Sequence, residues 1–226
     1  MKVHRVQGIA FSSWLIETRA ALFLVDSGFR WFEPLVLRKM RAIGRDPEDL
    51  ALAVLTHPHL DHVGAVAALR DRAEFDIAAH PRSRGVLADG GNAFSPPTRL
   101  WTRSVELLAR TALPLLRLPA ITPTLDAADG ERLDRFGLPG ALYHTPGHSE
   151  WCISLVLDDG TAFAGDLIIG AGHMTRAPSP PAMAFDPAQA RASMRKLLDA
   201  GARRFKPAHG REFTDDDVRA VLQAAG

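Results

Sequence analysis

The chain has 226 residues, 46% of them apolar and 23% charged, with a formal net charge of +1. Disordered and fibrous classes are excluded, because this composition can bury a full core, and a near-neutral balance leaves no electrostatic footprint for a nucleic-acid partner. A single cysteine, Cys152, rules out an internal disulfide framework.

Residues 1–8 lack the apolar core of a signal peptide, and no apolar run is long enough to cross a bilayer. A cytoplasmic protein without a membrane partner is the expectation. No internal repeat or linker interrupts the chain, so residues 1–226 read as one domain.

Residues 2–6 and 10–17 have strand composition, and 21–25 is a short apolar run that ends in Asp26-Ser27-Gly28. Phe32, Val36, Met40 and Ile43 then recur at helical spacing, with Pro34 in the first turn and Gly44 as the stop. The run 52–55 reads as a buried strand, followed by a ligand-rich loop and a helix over 65–70. Residues 75–79 form another strand, broken by His80-Pro81. Prolines 96, 97, 114, 119 and 123 divide the stretch 90–123 into helical pieces that carry Phe94 and Trp101. That stretch is expected to form a lid or a subunit contact.

Strands follow at 141–144, 152–157 and 161–164, the last two joined through Asp158-Asp159-Gly160. Asp186 and Pro187 open a helix that Gly201 stops. After a strand at 204–206, Thr214 and Asp217 form a capping box for a terminal helix.

The densest chemistry lies in Thr56-His57-Pro58-His59-Leu60-Asp61-His62, where three imidazoles and a carboxylate fall within six residues. Neutral imidazoles and carboxylates are the ligands that borderline divalent metals take. Helix capping by Asp61 would account for the aspartate but not for the histidines beside it. Three further strands run into Gly/Pro turns with a donor: Thr145-Pro146-Gly147-His148-Ser149, Gly165-Asp166, and Pro207-Ala208-His209-Gly210. If these loops meet on one rim they bring together five histidines and two aspartates. One ion with an open position cannot use seven protein ligands, whereas two ions sharing a carboxylate can.

Taken in order, Val25-Asp26-Ser27-Gly28, the 56–62 motif, Thr145-Pro146-Gly147-His148-Ser149, Gly165-Asp166 and His209-Gly210 resemble the metallo-β-lactamase superfamily over nearly the whole chain. The resemblance implies an α+β fold, an αββα sandwich of two packed mixed β-sheets flanked by helices, with the site along one edge. It implies that His57, His59 and His148 hold a first metal and Asp61, His62 and His209 a second, with Asp166 between them. The true β-lactamases lack an aspartate at the Asp166 position, so the likeness points to the glyoxalase II-like and lactonase-like branches.

The implied cofactors are two divalent ions, zinc first, with iron and manganese as the other choices. The implied chemistry is hydrolysis of a small-molecule ester, thioester or lactone by water that the cations acidify, with Asp61 and Asp166 as the catalytic carboxylates. Residues 210–226 are too few for the helical substrate domain of glyoxalase II, and the sole tyrosine, Tyr143, sits in a strand rather than beside the motifs. Three alternatives stay open: a one-iron persulfide dioxygenase, a phosphodiesterase, and a binding protein with a retained metal site. A homodimer is also open.

Asp26 either orients a ligand imidazole through its second nitrogen or ties its own turn. His173 and Trp101 are candidates for substrate contact. His4, His80 and His144 read as structural, and Cys152 as a buried, inert thiol.

Overall fold

Alternation with both faces apolar sets the architecture. In a strand, successive side chains point to opposite faces. Leu15, Leu22, Leu24, Leu50 and Ala53 accordingly join one cluster with Val36, Met40 and Leu69 of the helices outside. Their neighbours Trp14, Ile16, Phe23, Val25, Leu52 and Val54 join another with Leu142, Ile153, Leu155, Leu157 and Phe163 of the opposite sheet. A third cluster joins Val156, Ala162 and Phe205 to Met194, Leu197, Val218 and Val221. Three apolar layers between four structural ones make the αββα sandwich. Each fully buried Leu or Phe contributes roughly 1.5–3 kcal/mol of transfer free energy.

This computed structural model describes residues 1–90, 95–96, 107, 118–170 and 177–224. The first sheet contains β1 (Lys2–Gln7), β2 (Ser12–Glu17), β3 (Leu22–Val25), β4 (Leu50–Val54), β5 (Asp76–Ala79) and β6 (Leu125–Asp126), in that order. The pairs β1–β2 and β2–β3 are antiparallel, and β3 to β6 run parallel. The second sheet has β7 (Glu131–Arg132), β8 (Gly140–His144), β9 (Ile153–Leu157) and β10 (Thr161–Phe163), then β13 (Arg204–Lys206) and β14 (Phe213–Thr214). Its order is β14-β13-β10-β9-β8-β7, mixed through the parallel β10–β13 pair. The short pair β11 (Ile169–Gly170) and β12 (Pro178–Ser179) lies apart.

The expected helices form where their signals stand. Glu33–Ala42 has Pro34 in its first turn. Pro187–Asp199 has the Asp186 carboxylate accepting from Ala188 and Gln189 N–H, and Asp215–Gln223 carries the Thr214–Asp217 capping box. The expected strand at 10–17 starts only at Ser12, because Gly8 N–H bonds Phe11 O and turns the chain there. Phe94, Trp101 and His173, with most of 90–123, lie outside the described residues.

A candidate metal centre at the sandwich edge

The four donor loops come from both sheets. β4 supplies the 56–62 loop from the first sheet, while β8, β10 and β13 supply the loops of His148, Asp166 and His209 from the second. Ile153 N–H, at the start of β9, bonds Thr56 O, and Ala208 N–H bonds Gly165 O, so backbone ties the 56–62 loop to the second sheet and the Asp166 and His209 loops to each other.

Each loop has a local reason for its shape. Asp61 does not cap the helical turn Leu60–Val63; His59 is the N-cap residue, and Asp61 lies in the first turn. Ser27 N–H and Oγ both donate to His62 O, and Ser27 Oγ accepts from Ala65 N–H, which fixes that turn against the 26–28 loop. Gly147 has φ +142, and a Cβ there would come within 2.3 Å of the Ala190 backbone. The His148 turn therefore packs flat against the helix Pro187–Asp199, where Ser193 Oγ donates to Pro146 O.

The donors fall into three overlapping groups: His57, His59 and His148; His57, His62 and Asp166; and Asp61, His62 and His209. In the first, His57 Nε2 and His148 Nε2 lie 3.0 and 3.2 Å from His59 Nδ1. Ligands at about 2.0–2.1 Å on a tetrahedral ion stand about 3.3 Å apart, so this trio has the spacing of three ligands on one ion. In the third, His209 Nε2 lies 3.1 Å and His62 Nε2 3.8 Å from Asp61 Oδ2. Asp166 sits between: Oδ1 is 3.4 Å from His62 Nε2 and 3.5 Å from His209 Nε2, and Oδ2 is 3.7 Å from His148 Nε2.

The far side of each ring is also held. Asp26 Oδ2 accepts from His62 Nδ1–H at 2.8 Å. Met183 O accepts from His148 Nδ1–H at 2.7 Å, and Ala10 O from His209 Nδ1–H at 2.6 Å. Such contacts hold Nδ1 as the donor and turn Nε2, the other nitrogen, toward the place a cation would take. His62 Nε2 and Asp166 Oδ1 are buried without a hydrogen-bond partner, a state that costs free energy unless a cation takes it up. The residues therefore fit a divalent metal centre.

Asp26 ties its own turn as well as facing His62. It holds φ +54, a left-handed conformation that Asp tolerates better than most residues. Its Oδ1 and Oδ2 accept from Thr56 N–H and Thr56 Oγ1–H, each at 2.8 Å.

The electrostatics divide the site. Burial, then neighbouring imidazoles, push His57 well below its ordinary range. Burial holds His148 down and takes His59 to about 3. Burial would also depress His62 and His209, but Asp26, Asp166 and Asp61 overcome it for His62, raising it well above 6.5. Asp166 and Asp61 push His209 up to about 9. Burial would raise both carboxyls, yet the imidazoles hold them below the usual range: His62 and His209 for Asp61, and His209, His62 and His148 for Asp166.

The profile of the metallo-β-lactamase superfamily matches residues 11–209. The chain belongs to the metallo-β-lactamase superfamily.

Among curated members of similar sequence, the human acyl-coenzyme A thioesterase MBLAC2 is 33% identical over 124 residues, 52% of this chain and 41% of that protein. The Drosophila melanogaster beta-lactamase-like protein 2 homolog is 22% identical over 203 residues, 88% of this chain and 58% of that protein. The chain thus spans 41–58% of the length of these two relatives. Among solved structures of the superfamily fold, the Rm3 metallo-β-lactamase superposes with TM-score 0.73 at 22% identity, covering 99% of this chain and 87% of that one. An archaeal superfamily protein from Sulfolobus tokodaii gives 0.65 at 16% identity, covering 98% and 85%. At these identities the likeness is one of fold.

All seven expected donors meet at this edge, and Asp26 stands behind one of them. Sequence reading missed the carbonyls of Ala10 and Met183, since a backbone oxygen carries no residue signature. It also gave no role to Ser27, Thr56 or Phe11, whose ring stands edge-on to His62 and His209. Two of the histidines read as structural, His80 and His144, stack on each other with ring centroids 4.3 Å apart.

Proposed function

We propose that the chain is a metallohydrolase that holds two divalent cations, zinc first among the candidates, and cleaves a small-molecule thioester, ester or lactone. The observation that carries this reading is the placement of Asp166, with one carboxylate oxygen toward His62 and His209 and the other toward His148. His57, His59 and His148 would hold one cation, and Asp61, His62 and His209 the other. Cations held there would supply Lewis acidity, lowering the pKa of a bound water and polarising an acyl carbonyl.

The chain's own residues set the rest. Asp61 has the more accessible side chain of the two site carboxylates, 24% exposed against 10% for Asp166. It is therefore the one placed to orient water and receive its proton. Two carboxylates do not neutralise two dications, so the site retains positive charge for a developing oxyanion. Cys152 offers no competing nucleophile: it is buried, its sulfur lies 3.1 Å from Ser149 Oγ, and burial pushes the thiol up to about 11.

Among the three acyl classes, thioesters come first. The MBLAC2 likeness supports them. Tyr143 packs with the cluster behind the second sheet, under Lys196, so the site tyrosine that lactonases of the superfamily often use has no counterpart in it. The test is metal analysis of reconstituted protein, followed by thioester, ester, lactone and phosphodiester substrates. Two ions per chain with acyl hydrolysis is the expected result. Saturation at one ion, or oxygen consumption with a persulfide supported by iron and not zinc, would sink the proposal.

A further inference from the structure

Thr56 places one hydroxyl among three polar groups: Asp26 Oδ2 at 2.8 Å, His57 Nδ1 at 3.0 Å and His62 Nδ1 at 3.3 Å. A hydroxyl has one proton and two lone pairs. An ionised carboxylate can only accept, so the Thr56 proton goes to Asp26. His62 already gives its Nδ1–H to Asp26 at the shorter distance of 2.8 Å. The lone pairs of Thr56 Oγ1 are left to receive His57, whose proton must then sit on Nδ1 and whose bare Nε2 faces His59.

Four imidazoles here present Nε2 to the centre, and three are aimed by strong fixed acceptors: the Asp26 carboxylate, Met183 O and Ala10 O. His57 alone among them is aimed by a hydroxyl. We infer that Thr56 is a positioning residue of the first metal cluster: oriented by Asp26, it accepts the Nδ1 proton of His57 and directs Nε2 at the ion. Gly165, just before Asp166, keeps the space that this requires. A Cβ there would stand 2.6 Å from Thr56 Oγ1, at a backbone φ of +51.

The inference rests on the metal assignment proposed above, and its test separates the two. In a His209→Ala background, which leaves the His57, His59 and His148 cluster complete, cobalt(II) binding is measured by chelator competition and by the visible spectrum of the bound ion. Adding Thr56→Val, which keeps the shape and removes the hydroxyl, is expected to weaken binding by about 10–100-fold and to change the spectrum. Thr56→Ser is expected to restore both. Unchanged affinity and spectrum in the Val variant, even with a lower melting temperature, would overturn the positioning role and leave the metal reading intact. Failure of the His209→Ala protein itself to bind cobalt would overturn both. A measurement that needs no variant is the nitrogen-15 spectrum of the metal-free protein. It is expected to show His57 protonated at Nδ1, and a proton on Nε2 would refute the inference.

Discussion

His57, His59 and His148 lie among one another with Asp166 at one side, and burial outweighs the pull of that carboxylate, keeping them neutral and ready to bind a cation at low proton cost. His62 and His209 lie between Asp26, Asp61 and Asp166, which hold a proton on them until a cation displaces it. Both groups use imidazole, and both are buried. What separates them is how many carboxylates face them, Asp166 for the first group and Asp26 and Asp61 besides for the second: a carboxylate draws a metal more strongly by charge, and it draws a proton by the same charge. The first cluster should therefore fill with little dependence on pH above neutrality, and the second should fill more tightly as pH rises toward about 9.

The sharpest way to break this comparison is to remove the group shared by both halves. Asp166→Asn keeps the volume and loses the charge that would offset two cations. We expect kcat to fall by at least a hundredfold, on the order of 3 kcal/mol, with a smaller change in KM. Steady-state kinetics matching the parent would show that Asp166 does not serve both halves. Next come the single donors. His148→Ala should empty the first cluster and His209→Ala the second, read as one ion lost per chain in each case. Equal loss from both clusters in either variant would mean that the halves are not separate sites.

A smaller effect is expected one contact further out. Asp26→Asn weakens the acceptor behind His62 and should lower affinity at the second cluster by about 10–100-fold, with the first cluster less affected. A variant with unchanged metal affinity and only lower stability would leave Asp26 as a turn residue.

The smallest effect is on the metal-free fold. His209 keeps its proton up to about 9, so its contribution is fully present below 6.5 and is lost as pH rises through about 9. His59 behaves in the opposite sense. The unfolded chain protonates it near 6.5 and the folded chain only near 3, so stability falls as pH drops between those values. Asp61 and Asp166, held below 3.8, add to the acid-side loss. Melting temperature should peak near pH 6.5 without metal and flatten when metal is added. A metal-free profile that rises steadily to pH 9 would contradict the division of charge described here.

Much of this was legible in the residues because the signals are local. Pro34, Asp186-Pro187 and Thr214 mark helix starts by their own bonding rules, and the donors follow apolar strands directly. The two-residue strands β6, β7 and β14 were not, since such a segment is defined by its neighbour rather than by a pattern of its own. The same holds at the site. Asp26 could be suspected from its motif, yet the partners of His148 and His209 are carbonyls 35 and 199 positions away, which only the fold brings there.

One consequence concerns the order of assembly. Asp61 and His209 are 148 residues apart and meet at 3.1 Å, one carried by the first sheet and the other by the second. A growing chain presents His57, His59, Asp61 and His62 early, but the group that gathers Asp61, His62 and His209 does not exist until β13 has docked beside β10. A cation at that position would then act as a rivet driven last, and its capture would register that both sheets have closed.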